Sequence, residues 1–84
     1  MIADLSGKSA LITGGASGIG RGISLALASQ GSDVAIADKN IEGASKVSEE
    51  VKKLGRHSIA INVDVTDNSS ITAMVNKTVK EFTH

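Results

Sequence analysis

At 84 residues the chain has room for one domain, and its nine basic residues are balanced by nine acidic ones, which removes the electrostatic ground for a nucleic-acid or anionic-membrane partner. It has no cysteine, so a disulfide framework and a thiolate metal site are both excluded, and two isolated histidines, His57 and His84, do not make a zinc site. Apolar residues make up 40% of the chain but Phe82 is its single aromatic residue, so the core has to come from Ala, Val, Ile and Leu, and stability is expected to be marginal.

The N-terminal run MIADLSGKSALITGG lacks a basic segment followed by an apolar stretch and a small-residue cleavage site, and no apolar run is long enough for a bilayer. No membrane partner and a cytoplasmic location are the expectations. Ser9 to Thr13 (SALIT) is a short apolar run entering a glycine cluster, and it predicts a buried first strand. From about Gly18 to Gln30, Ile19, Ile23, Ala26 and Leu27 recur at helical spacing, and Gly31 stands where a left-handed residue ends a helix. Asp33 to Ala37 (DVAIA) predicts a second strand, followed by the polar cluster Asp38-Lys39-Asn40. Ile41, Ala44, Val47, Val51 and Leu54 mark one face of a second helix ending at Gly55, and His57 to Val63 (HSIAINV) supplies a third strand. Between Asp67 and Phe82 the residues Ile71, Met74, Val75, Thr78, Val79 and Phe82 trace a third helix, with Thr66 or Asp67 as its cap.

Three strands alternating with three helices through short connections imply an α/β layer structure with parallel pairing, because parallel neighbours need a long crossover. Right-handed crossovers place the first two helices on one sheet face. The third has to cross to the other face, as it would if a fourth strand were to pair beside the first, and no fourth strand follows here.

Between the first strand and the first helix stands Thr13-Gly14-Gly15-Ala16-Ser17-Gly18-Ile19-Gly20. Glycines let main-chain N–H groups approach a pyrophosphate closely, and the helix start adds its partial positive charge. An acidic residue, Asp38, follows at the end of the second strand, about twenty positions on, where a carboxylate accepts hydrogen bonds from an adenosine ribose and repels a 2′-phosphate. An ordinary turn that binds nothing and a solvated turn aspartate are the bland alternatives. Lys39, beside Asp38, is the one residue there that would suit a phosphate.

The spelling Thr-Gly-x-x-x-Gly-x-Gly over residues 13–20 resembles the glycine motif of the short-chain dehydrogenase/reductase family, and the similarity runs through essentially the whole chain. The resemblance implies a partial Rossmann fold, a doubly wound parallel sheet cut before its fourth strand, with residues 1–84 as the N-terminal half of an NAD(P)-binding domain and no second domain. It further implies that Gly14, Ser17, Gly18, Ile19 and Gly20 line the pyrophosphate and the nicotinamide-side ribose, that Thr13 holds the turn, that Asp38 takes the adenosine ribose, and that Asp64-Val65 holds the adenine ring. Family members that prefer NADP often carry Arg or Lys where this chain has Ser17, so NAD is the expected cofactor. The activity implied is hydride transfer between NAD and an alcohol or ketone, in relatives that are homo-oligomeric.

The family's Ser, Tyr, Lys and Asn would orient the substrate and move its proton, yet this chain contains no tyrosine and lacks the Asn-Asn-Ala-Gly stretch expected after a fourth strand. No catalytic residue and no metal ligand is therefore assigned, and the chain is expected to be inactive alone. Its end, Glu81-Phe82-Thr83-His84, departs from the family's Phe-Gly continuation and suggests truncation, a frameshift or an alternative transcript. Without a fourth strand the first keeps a free edge, and the third helix keeps part of its stripe exposed, so a non-catalytic module that self-associates or folds on a partner chain is the competing reading. Gly7-Lys8-Ser9 mimics the end of a P-loop but precedes a strand, and the sequons at Asn68 and Asn76 have no export signal to give them meaning.

Overall fold

A computed structural model describes residues 8–82. The expected alternation is present: β1 Ser9–Thr13, α1 Gly18–Ser29, β2 Asp33–Asp38, α2 Ile41–Lys53, β3 Ser58–Asn62 and α3 Asn68–Glu81. All pairing is parallel and the sheet order is β1-β2-β3, with Leu11 opposite Ala35 and Ala35 opposite Ile59. This is a partial Rossmann-type sheet with β2 at its centre.

Strand side chains alternate between two cores, as a period of two requires. Val34 and Ile36 face α1 and α2, where they meet Ala28, Ala44, Val47 and Val51, with Ile12 and Ala60 beside them. Ala35, Ala37, Ile61 and Val63 face the opposite way and meet Met74 and Phe82 of the α3 layer. The third helix therefore does cross to the other face. Ile36 is fully buried, and truncating it to alanine costs about 2–5 kcal/mol, a large share of what so short a chain can hold.

Helix ends follow local chemistry. Ser17, Asn40 and Asp67 cap the three N-termini, each with a side-chain oxygen that accepts a main-chain N–H, from Gly20, Gly43 and Ser69 respectively. Of the two candidate caps for α3, Asp67 is the one used. Gly31 and Gly55 take φ of 98° and 84°, conformations in which a Cβ is strained, and they stop α1 and α2 as their positions suggested. The third strand, Ser58–Asn62, is one residue shorter at each end than His57 to Val63, although the His57 carbonyl still accepts from Val34 and the Val63 N–H still donates to Asp38.

The buried face of α1 differs from the one its large apolar residues mark. Gly20, Ser24 and Ala28 are buried, while Ile19 and Ile23 are 81% and 47% exposed and Ala26 is exposed. Close approach decides this: a Cβ on Gly20 would lie 2.3 Å from the Gly14 carbonyl oxygen, so only a bare Cα packs there. Ser24 is tolerated because its hydroxyl donates to the Gly20 carbonyl at 2.8 Å. Ile19 and Ile23 are thus turned outward, while Leu25 and Leu27 pack half-buried at the margin of the core. Val75 and Val79 of α3 are likewise 44% and 61% exposed, as a helix over a narrow sheet should be. Among the described residues no strand pairs with the outer edge of β1.

Candidate functional site

Thr13, Asp38 and the residues after Asn62 all lie at the C-terminal ends of the strands, where open α/β sheets hold their ligands. A groove of about 460 Å³ opens there, lined by Thr13, Gly14, Asp38, Lys39, Val63, Asp64, Val65 and Thr66. Its size falls within the range of small-molecule sites.

The wall on the β1 side is the glycine turn. Gly14 takes φ of 69°, and no protein atom lies within 4 Å of where a Cβ would project, so the backbone is bare toward the groove. Ser17 closes the turn on itself, its hydroxyl donating to the Gly14 carbonyl at 2.8 Å and accepting from the Gly20 N–H at 3.1 Å. Gly15 must also be glycine, because a Cβ there would meet the Ile36 side chain at 2.5 Å. Gly18 has neither reason: its φ is not positive, and a Cβ on it would meet nothing within 4 Å. The N–H groups of Gly18 and Ile19 open α1, where no carbonyl of the helix is available to them, and they carry the positive end of its dipole.

Asp38 ends β2 and faces the turn. One carboxylate oxygen accepts from the Ala16 N–H at 3.0 Å and the other from the Asn40 N–H at 2.9 Å. A carboxylate has about four lone-pair sites, so acceptor capacity remains on the groove side. Opposite it, Asp64 accepts from both the hydroxyl and the N–H of Thr66, at 2.6 and 2.9 Å. Those two bonds, the hydroxyl's first, hold the Asp64 carboxyl below the usual carboxylate range, and the charge of Lys39 adds to the effect. The Ser70 hydroxyl fixes the start of this loop by accepting the Asp64 N–H at 2.9 Å.

The structure therefore brings Gly14, Asp38, Asp64 and Val65 to one groove, with Val65 62% exposed at its rim. Ser17, Gly18 and Ile19 stand at the adjoining helix start, and Gly20 is buried behind the turn rather than lining it. Thr66 and the Ala16–Asp38 bond are absent from the sequence-based site. Thr66 was legible as a hydroxyl two residues after an acid, whereas a bond across 22 positions leaves no local mark. Among the described residues no group of His, Cys, Asp and Glu is placed to hold a metal, and no helix is long and apolar enough to cross a membrane. His57 packs edge-on against Phe82 and pairs with Glu81 at 3.2 Å, while His84 lies outside the described residues, as does Gly7 of the P-loop mimic.

A parallel half-sheet whose first strand enters a helix through a glycine turn, with an acid at the tip of the next strand, defines the Rossmann class of nucleotide folds. The chain belongs to the short chain dehydrogenase family, whose profile matches residues 8–84. It is 42% identical over 79 residues to a hydroxynaphthalene reductase of Aspergillus fumigatus, covering 93% of this chain and 29% of that protein. It is 40% identical over 78 residues to the 2,3-dihydro-2,3-dihydroxybenzoate dehydrogenase of Bacillus subtilis, covering 93% of this chain and 30% of that protein. Among solved structures, NAD+-bound xylitol dehydrogenase superposes with a TM-score of 0.92 at 30% identity, over 95% of this chain and 31% of that one. A hydroxysteroid dehydrogenase from Escherichia coli gives 0.89 at 32% identity, over 93% and 33%. The chain thus spans about a third of the length of the relatives it matches.

Proposed function

We propose that this chain is the cofactor-binding part of an NAD-dependent oxidoreductase that interconverts a secondary alcohol and a ketone in the cytoplasm. The observation that carries the reading is the convergence of Gly14, Asp38 and Asp64-Val65 on one groove at the C-terminal edge of the sheet, next to the start of α1 that follows the glycine turn. The residues fit a dinucleotide: Gly14 and Gly18 leave room where side chains would stand, and the first N–H groups of α1 suit a pyrophosphate. Asp38 would accept the adenosine ribose hydroxyls, and Asp64 with the Val65 main chain would border the adenine.

A bound nicotinamide supplies the hydride chemistry. This chain's own residues bind and orient it, and with no tyrosine present the substrate's proton has to be handled by groups beyond these 84 residues. The chain alone is therefore expected to bind cofactor without turning over an alcohol. Separate calorimetric titrations with NAD and NADP test this. NAD should bind more tightly, and Asp38→Ala should shrink the difference; equal affinity for both, unchanged by the substitution, would overturn the preference, and no binding of either would overturn the reading.

A second reading is favoured by the outer edge of β1, which carries no charged residue between Ser9 and Thr13 and lies beside exposed Val79 of α3. Such an edge accepts another strand, so the chain would act as an interaction module that self-associates. Light scattering that shows a compact monomer across a wide concentration range would remove it.

A further inference from the structure

We infer that Asp38 is a positioning residue for the glycine turn, holding the Ala16 N–H so that the turn has its ligand-binding shape before any ligand arrives. The inference rests on the cofactor-site reading but concerns the ligand-free chain. Two consecutive N–H groups of the turn are tied to two consecutive residues of β2: Gly15 donates to the Ala37 carbonyl at 3.3 Å, and Ala16 donates to the Asp38 carboxylate at 3.0 Å. The first link extends the sheet's own ladder by main chain alone. The second needs a side chain, and the Asp38 carboxylate supplies it.

The contact is closed on its far side as well. The other carboxylate oxygen of Asp38 accepts the Asn40 N–H at 2.9 Å, and the Asn40 side chain in turn caps α2 by accepting the Gly43 N–H at 3.1 Å. Gly43 lies so close to the turn that a Cβ on it would stand 2.9 Å from the Ala16 Cβ. Asp38, Asn40, Gly43 and Ala16 thus form a ring that fastens the start of α2 to the glycine turn, with a charged acceptor at its hub. Removing the carboxylate leaves the half-buried Ala16 N–H without its acceptor, and beyond Gly15 the turn is then held only by the local bonds of Ser17.

A role confined to the ribose hydroxyls makes different predictions. Under the positioning role, Asp38→Ala weakens the binding of a NAD analogue lacking both adenosine ribose hydroxyls by about tenfold, the scale of one hydrogen bond to a charged group. Under the ribose role, that analogue binds the variant and the original chain equally. The ligand-free readout is the Ala16 amide, followed by 15N NMR. It should exchange slowly in the original chain, at least about tenfold faster in Asp38→Ala, and at an intermediate rate in Asp38→Asn, whose side-chain oxygen still accepts. Should Asp38→Ala not fold, the Asn variant and the original chain carry the comparison. Unchanged Ala16 exchange, or no loss of affinity with the analogue, overturns the inference. If Ala16 exchange responds while the original chain binds neither NAD nor the analogue, the positioning role stands and the cofactor reading falls.

Discussion

The two ends of the sheet hold the same kinds of residue and use them in opposite ways. At the N-terminal end, Asp33 is buried and its carboxylate accepts from Arg56 and from the His57 N–H, both at 3.1 Å, while His57 is itself pinned by Glu81 and Phe82. At the C-terminal end, Asp38 and Asp64 accept main-chain and hydroxyl donors and still face an open groove. Charge at the first end is consumed in joining β2, β3 and α3. At the second it is held in place by single main-chain and hydroxyl donors, with acceptor capacity kept for something outside the chain. Function and fastening are thus separated along the length of the strands.

The sharpest way to break this division is Gly20→Val. The new side chain would collide with the Gly14 carbonyl and the Gly15 Cα, so we expect cofactor binding to be lost and stability to fall by about 3 kcal/mol. Calorimetry with NAD and urea unfolding would show both effects, and retention of binding would contradict the packing role of Gly20. At the opposite end, Asp33→Ala removes a buried acceptor for two donors and should cost about 2 kcal/mol of stability. Cofactor affinity in the fraction that stays folded should not change. A parallel loss of affinity would mean the two ends are coupled.

Gly18→Ala should do the reverse. Because a Cβ at Gly18 meets no protein atom and its backbone is not left-handed, alanine should raise stability by about 0.5 kcal/mol while weakening NAD by about tenfold. Thermal unfolding and titration on one sample separate the two signs. The smallest effect concerns acid. The Asp64 carboxyl is held low by Thr66, and that of Glu50 by the guanidinium of Arg21, so each contributes stability that is present above the ordinary carboxylate range and is lost as the pH falls below that range through the lowered folded value. Thr66→Val removes the hydroxyl bond and should flatten the acid limb of urea midpoints measured against pH. An unchanged limb would place the acid sensitivity elsewhere.

Much of this was legible in the order of residues. The alternation of strand and helix, the stops at Gly31 and Gly55, the two-sided cores and the pairing of the glycine turn with Asp38 follow from local spacing and from the handedness of parallel crossovers, whereas Asp64 entered the site through the family resemblance alone. The buried face of α1 was not legible, because periodicity weighs side-chain size and here the deciding quantity is the distance of a bare Cα from another backbone. The Ala16–Asp38 bond was hidden for a related reason: it joins residues that become neighbours only once β1 and β2 are aligned. Periodicity reports which faces are greasy, and it is silent about which surfaces touch.

The central place of β2 bears on how the chain acquires its structure. Each of its neighbours lies about two dozen residues away along the sequence, one before and one after, and neither pairing can begin until a complete helix has doubled back. Hairpins, the fast local route to a sheet, are unavailable, so closure of either crossover has to wait on packing of α1 or α2 against a strand that is not yet secured. The two crossovers share that one strand, and whichever closes first prepays part of the ordering cost of the other. Assembly should therefore be slow for a chain of this size and highly concerted, with β2 as the point where the early events converge.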